Sequence, residues 1–121
     1  MLITRRCSTF SPSRIAPLAL SARIANAAGY QARFEDAGLT DRVALPAQGA
    51  GRHVYNQYVV RLLSGARDAV REVLRTAGVG CAVYYPVPLH QQPCFKDGHI
   101  GSLDVSEAAA RDSLALPIAP G

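Results

Sequence analysis

Residues 81–95, CAVYYPVPLHQQPCF, place Tyr84, Tyr85, His90, Gln91 and Gln92 among three prolines. They directly follow a run of strand-forming residues. Prolines restrict the backbone and remove amide donors, so a segment carrying Pro86, Pro88 and Pro93 reads as a stiff loop. A stiff loop with polar side chains at the end of a strand is suited to holding a ligand, because little freedom is lost when it binds. His90 is the chemically versatile group. Its neutral imidazole can hydrogen-bond hydroxyls, and its charged form can meet a phosphate or carboxylate. Tyr85 offers a ring and a hydroxyl to the same ligand. The common alternatives are a solvated histidine and a packing tyrosine.

Other reactive residues carry less. His90, Cys94 and His99 can be drawn as metal ligands, but their spacing matches no zinc pattern and a fourth ligand is missing. His53 and Asn56 sit at the start of an apolar run, where a histidine needs no function and an asparagine is usually satisfied by neighbouring backbone. Three widely spaced cysteines without a Cys-x-x-Cys pair argue against a disulfide framework and point to a reducing, cytoplasmic location.

The elements that position this loop follow from periodicity. A helix is expected from Leu18 to about Ala37, with Leu20, Ile24, Ala27 and Phe34 near one face, interrupted by Gln31 and stopped by Gly38. RVALP is short and extended, and AQGAGR is a flexible connector. HVYNQYVVRLL, residues 53–63, is the strongest strand, with alternate residues from Val54 to Leu62 on one face. A helix over about 66–77 follows, with Val70, Val73, Leu74 and Ala77 facing the core and Gly78 ending it. Residues 79–85 read as a second strand, and the strand–helix–strand length suits a parallel crossover. Asp104 and Glu107 form a capping-box pattern ahead of a short helix over 105–113, and LALPIAP is an extended exit. The result is one small α/β domain with a few-stranded sheet and about three helices, a core small enough to lean on something else.

Composition excludes several classes. The chain has 121 residues and a formal net charge of +4. Its arginines are spread along the sequence and mixed with acids; Arg67, Arg71 and Arg75 alternate with Asp68 and Glu72, which reads as a solvated helix face and not a nucleic-acid surface. No apolar run reaches the ~20 residues of a membrane helix. The leader, residues 1–19, carries Arg5 and Arg6 ahead of a short apolar stretch in imitation of a secretory signal. Intervening polar residues and Pro17 speak against that reading, and a disordered or non-native leader is expected.

Four segments in this order, ANAAGYQARFEDAGL, HVYNQYVVR, AVYYPVPLHQQPCF and VSEAAARDSLALPI, resemble the carboxy-terminal region of DegT/StrS-type sugar aminotransferases. The resemblance runs from about Ala25 to Pro120. It implies the small domain of a fold-type-I enzyme dependent on pyridoxal 5'-phosphate, over residues 20–121 and truncated at the C-terminus. Such enzymes move an amino group, usually from glutamate, to a nucleotide-linked keto-sugar. Their cofactor is held as a Schiff base by a lysine of the large domain. The single lysine here, Lys96, stands in a polar turn outside that context, and no catalytic residue is assigned.

The resemblance therefore implies a fragment that is inactive alone and binds no cofactor itself, with His90 and Tyr85 as its substrate-binding residues. Its partners would be a nucleotide-sugar and glutamate donor once completed, and either a large-domain chain or a second copy. The rival expectation is a non-catalytic interaction or dimerisation module that keeps the fold.

Overall fold

The computed structural model describes residues 15–95, 98 and 101–119, with side chains from Ala19 onward. Most of the leader, together with Cys7, Lys96 and His99, lies outside the described residues. Three helices and a three-stranded sheet are arranged as α1 (Ile15–Asp36), β1 (Val43–Ala44), β2 (Tyr58–Leu62), α2 (Arg67–Thr76), α3 (Asp104–Asp112) and β3 (Ser113–Leu116). Two single 3₁₀ turns, Leu89–Gln91 and Pro93–Phe95, shape the proline-rich loop between α2 and α3.

The sheet is antiparallel in the order β1-β2-β3. Val43 pairs with Leu62, Val60 with Leu114 and Tyr58 with Leu116. Directly opposed residues share a face, so these six side chains form one apolar surface. Ala27, Ile24, Tyr30 and Phe34 of α1 and Val70 and Leu74 of α2 pack against it. Tyr58, Val60 and Leu114 are the most completely enclosed. An apolar cleft of about 550 Å³ remains between α1 and α2, lined by Phe34, Leu39, Leu74 and Val79 above the sheet.

Both long helices end by the same device. Gly38 and Gly78 adopt φ of 64° and 78°, and the amides of Leu39 and Val79 donate to Phe34 O and Leu74 O at 3.0 and 2.9 Å. This is the Schellman arrangement, which needs a left-handed residue and brings an apolar pair together across the helix end. Phe34 with Leu39 and Leu74 with Val79 are those pairs, and all four reach the cleft.

Two expected strands are revised. The run 53–63 becomes a strand only from Tyr58. Tyr55 has φ of 46°, its amide donates to His53 Nδ1 at 3.0 Å, and the His53 and Tyr55 rings stack at 4.0 Å. The chain therefore bends before β2; Tyr55 is buried while Val54 and Asn56 are exposed, unlike the alternation expected there. Residues 79–85 do not form a strand: a single bridge joins Ala82 to Ala115. Because β2 and Ala82 both pair antiparallel with β3, they run in the same direction, but β3 is inserted between them. The crossover is thus parallel in sense without direct pairing.

Helix α2 also departs from its expected stripe. Val70 and Leu74 are half-buried, whereas Val73 is 68% exposed. Of the ion pairs expected on its solvated face, Arg75 with Glu72 is exposed, whereas Arg67, paired with Asp68, is covered.

Three enclosed polar atoms lack a hydrogen-bond partner among the described residues, Arg23 Nε, Arg61 Nε and the Tyr58 hydroxyl. The Tyr58 hydroxyl makes no hydrogen bond among the described residues, and burial pushes its pKa up, aided by Tyr55 and Tyr30. A buried donor without a partner is destabilising. Tyr58→Phe is therefore expected to leave the melting temperature unchanged or raise it, whereas Leu114→Ala is expected to cost about 2–5 kcal/mol through lost burial and a cavity. Chemical denaturation of both variants checks this, and a large loss in Tyr58→Phe would show that the hydroxyl has a partner.

Candidate functional site

The proline-rich loop and α3 enclose a cleft of about 790 Å³. Tyr84 and Tyr85 stand at one side, with their rings edge-to-face at 6.2 Å. Val87, Leu89, His90 and Phe95 come from the loop, and Leu103, Ser106 and Ala109 from α3 and its approach. The residues singled out in sequence, His90 and Tyr85, thus line one cavity. They present themselves differently. Tyr85 is 76% exposed, while the His90 side chain retains only 8% of its exposure.

His90 is enclosed because it is tied to α3. Its Nε2 lies 3.0 Å from Glu107 Oε1. The same oxygen accepts from the Leu103 amide at 3.3 Å, while the Ser102 hydroxyl, 3.5 Å away, donates to Asp104 Oδ1 at 2.5 Å. One carboxylate therefore holds the loop, the approach to the helix and the helix itself. The expected capping box is shifted by one residue: the N-cap is Leu103, Asp104 is already helical and makes no side-chain cap, and Glu107 reaches back to the Leu103 amide. An acid in the first turn is favourable at the positive end of the helix.

The loop supports itself as well. Gln92 Nε2 donates to Val87 O at 3.2 Å, and the Gln91 and Gln92 amides donate to Pro88 O and Leu89 O at 3.0 and 3.1 Å. The far end of α3 is tethered by arginines. Arg67 Nη1 donates to Ala110 O at 3.0 Å, and Arg61 Nη2 lies 3.4 Å from Asp112 Oδ2. Helix α3, which forms one wall of the cavity, is held at both ends by groups outside itself.

His53 and Asn56 belong elsewhere. His53 accepts from the Tyr55 amide and lines a separate cleft of about 590 Å³ beside α1. Asn56 Oδ1 accepts from Arg23 Nη1 at 3.2 Å. Neither reaches the His90 cavity. Among the described residues no group of three or more His, Cys, Asp or Glu side chains is placed to hold a metal, and no helix is long and apolar enough to cross a membrane. Glu107 is the site residue that sequence reasoning assigned only a capping role. Its helical position was readable, but its partner lies 17 positions away across a proline-rich loop.

The DegT/DnrJ/EryC1/StrS aminotransferase family matches residues 16–121. The chain belongs to this family. It is 40% identical over 98 residues to the pleiotropic regulatory protein of Geobacillus stearothermophilus, an alignment covering 78% of this chain and 26% of that protein. It is also 40% identical over 77 residues to the UDP-N-acetyl-3-dehydro-alpha-D-glucosamine 3-aminotransferase of Acidithiobacillus ferrooxidans, covering 63% of this chain and 20% of that one. Among solved structures, the aminotransferase TlmJ from Streptoalloteichus hindustanus superposes with a TM-score of 0.73 at 31% identity, over 88% of this chain and 28% of its own. The chain thus spans about a quarter of the length of these relatives. Family members in general depend on pyridoxal 5'-phosphate, and the fold described above is part of the fold they share.

The pKa of Glu107 is lowered, first by the hydrogen bond from His90 and then by that from the Leu103 amide. A carboxyl whose folded pKa lies below its unfolded value adds stability above the unfolded pKa, and that stability is lost as pH falls through the folded one. The stability difference between the native chain and Glu107→Gln is expected to be full at neutral pH. It should shrink below the ordinary glutamate range, as Glu107 takes up its proton. Thermal melts from pH 7 to pH 3 test this; a difference independent of pH would show that the carboxylate charge contributes nothing.

Proposed function

We propose that this chain is the substrate-side portion of a pyridoxal-phosphate-dependent aminotransferase acting on a nucleotide-linked keto-sugar, and that it is inactive alone. The observation that carries the reading is the cleft formed by the proline-rich loop and α3, in a chain belonging to a family with nucleotide-sugar aminotransferases among its members. Residues 20–121 are the small domain in this reading; residues 15–19 of the expected leader are helical, at the start of α1, and the family match begins at residue 16. Tyr85, exposed at the rim, offers a ring and hydroxyl to the ligand, and His90 contributes from the wall.

The described residues lining the cleft do not fit the family cofactor. None carries an amine that would form the Schiff base, and none a guanidinium for the phosphate. The one lysine, Lys96, lies outside the described residues. No step through the cofactor is assigned to this chain. The large domain of the family would supply that chemistry, glutamate would serve as the amino donor, and the protein would work in the cytoplasm.

A second reading, a binding or dimerisation module, is favoured by the apolar rim. Tyr85 and Leu89, which line the cleft, are 76% and 72% exposed. Apolar groups gathered at one edge are suited to an interface with a second copy or with a large-domain partner. Neither a nucleic acid nor a membrane enters either reading.

Incubation with pyridoxal 5'-phosphate, borohydride reduction and peptide mass spectrometry separates the possibilities. No stoichiometric adduct is expected, while titration calorimetry is expected to detect binding of a nucleotide-sugar. A stoichiometric, phosphate-dependent adduct on Lys96 would overturn the assignment. Absence of nucleotide-sugar binding, with a dimer in sedimentation, would favour the second reading.

A further inference from the structure

The hydrogen bond between His90 and Glu107 determines which atom of His90 remains for a ligand. An ionised carboxylate only accepts, so the ring nitrogen facing it, Nε2, must carry a proton and donate. In the neutral imidazole the other nitrogen, Nδ1, is then an acceptor. No hydrogen bond to Nδ1 occurs among the described residues, and it is not one of the enclosed unpartnered atoms. Rotation that would exchange the two nitrogens is opposed by the burial of the ring and by the anchoring of Glu107 itself, which the Leu103 amide holds in place.

We propose that Glu107 is a positioning residue that locks His90 as the Nε2–H tautomer, so that His90 meets its ligand through the Nδ1 lone pair and selects a hydroxyl donor over an anion. The substrate half of this inference rests on the nucleotide-sugar reading above; the tautomer half does not. A sugar hydroxyl satisfies an acceptor at Nδ1, whereas a phosphate or carboxylate oxygen presents lone pair to lone pair. Glu107 thereby determines specificity without touching the ligand. Its effect parallels the way a carboxylate behind a metal-bound histidine fixes ring orientation.

Nitrogen-detected NMR of the ring tests the two halves separately in the full chain. Long-range ¹H–¹⁵N spectra at pH 8 are expected to show His90 Nε2 protonated and Nδ1 bare. Glu107→Ala is expected to lose that preference, and Glu107→Gln, which retains an acceptor oxygen, to restore most of it. A purely structural role would not make the tautomer follow the acceptor. Backbone amide spectra confirm that each variant is folded, and the wild-type spectrum stands by itself if Glu107→Ala is not.

A UDP-linked hexose is expected to perturb Nδ1, while UDP alone and inorganic phosphate leave it unchanged. A mixed or Nδ1–H tautomer in the wild type would refute the positioning role. A response to phosphate or UDP alone would refute the selection of a hydroxyl. An intact tautomer with no response to any of the three would uphold the positioning role while refuting the hydroxyl contact and counting against the nucleotide-sugar function.

Discussion

The antiparallel pairing of β2 with β3 is the constraint on which the remainder of the structure depends. It joins segments about 50 residues apart, and the chain between them contains α2, the proline-rich loop and α3. Closing a loop of that length costs about 3.5 kcal/mol in chain entropy beyond a constant. The apolar face created by the pairing, with Val60 opposite Leu114 at its centre, is what offsets that cost. The cavity is consequently a product of a long-range contact. Neither wall is built by the residues that form the sheet alone, but both walls are brought together when it forms.

The remaining order in the site comes from polar ties of short reach. Glu107 gathers the loop and the start of α3, and Arg61 and Arg67 secure its end. These groups differ in setting. Exposed ion pairs such as Arg75 with Glu72 contribute little, whereas Arg67 is largely covered and bonds a helix-terminal carbonyl that would otherwise lack a partner. Arginine-rich composition, which looked undirected in sequence, is locally structural at these positions.

What was legible in the sequence follows from the range of the signal. The ends of α1 and α2 were readable because Gly38 and Gly78 act within a turn of their own position. The few-stranded α/β character and the first two helices were readable from apolar periodicity, and the third from the capping-box pattern of Asp104 and Glu107. Strand β2 was readable only in its second half, since the bend at Tyr55 comes from a side-chain hydrogen bond and a ring stack that no propensity encodes. Residues 79–85 have strand-forming composition but find only one bridge, and β3 was read as an extended exit because its partner lies so far upstream. The loop was recognisable from its prolines and polar groups. The link from His90 to Glu107 was not, since it depends on how the loop folds back.

Helix α3 has nine residues, fewer than an isolated helix needs to persist in water. With its two ends fastened to the loop and to the β2–α2 region, it has little independent existence. Its amides are therefore expected to exchange with solvent through the same opening that separates β3 from β2. The cavity wall would then open together with the sheet and not as a separate lid.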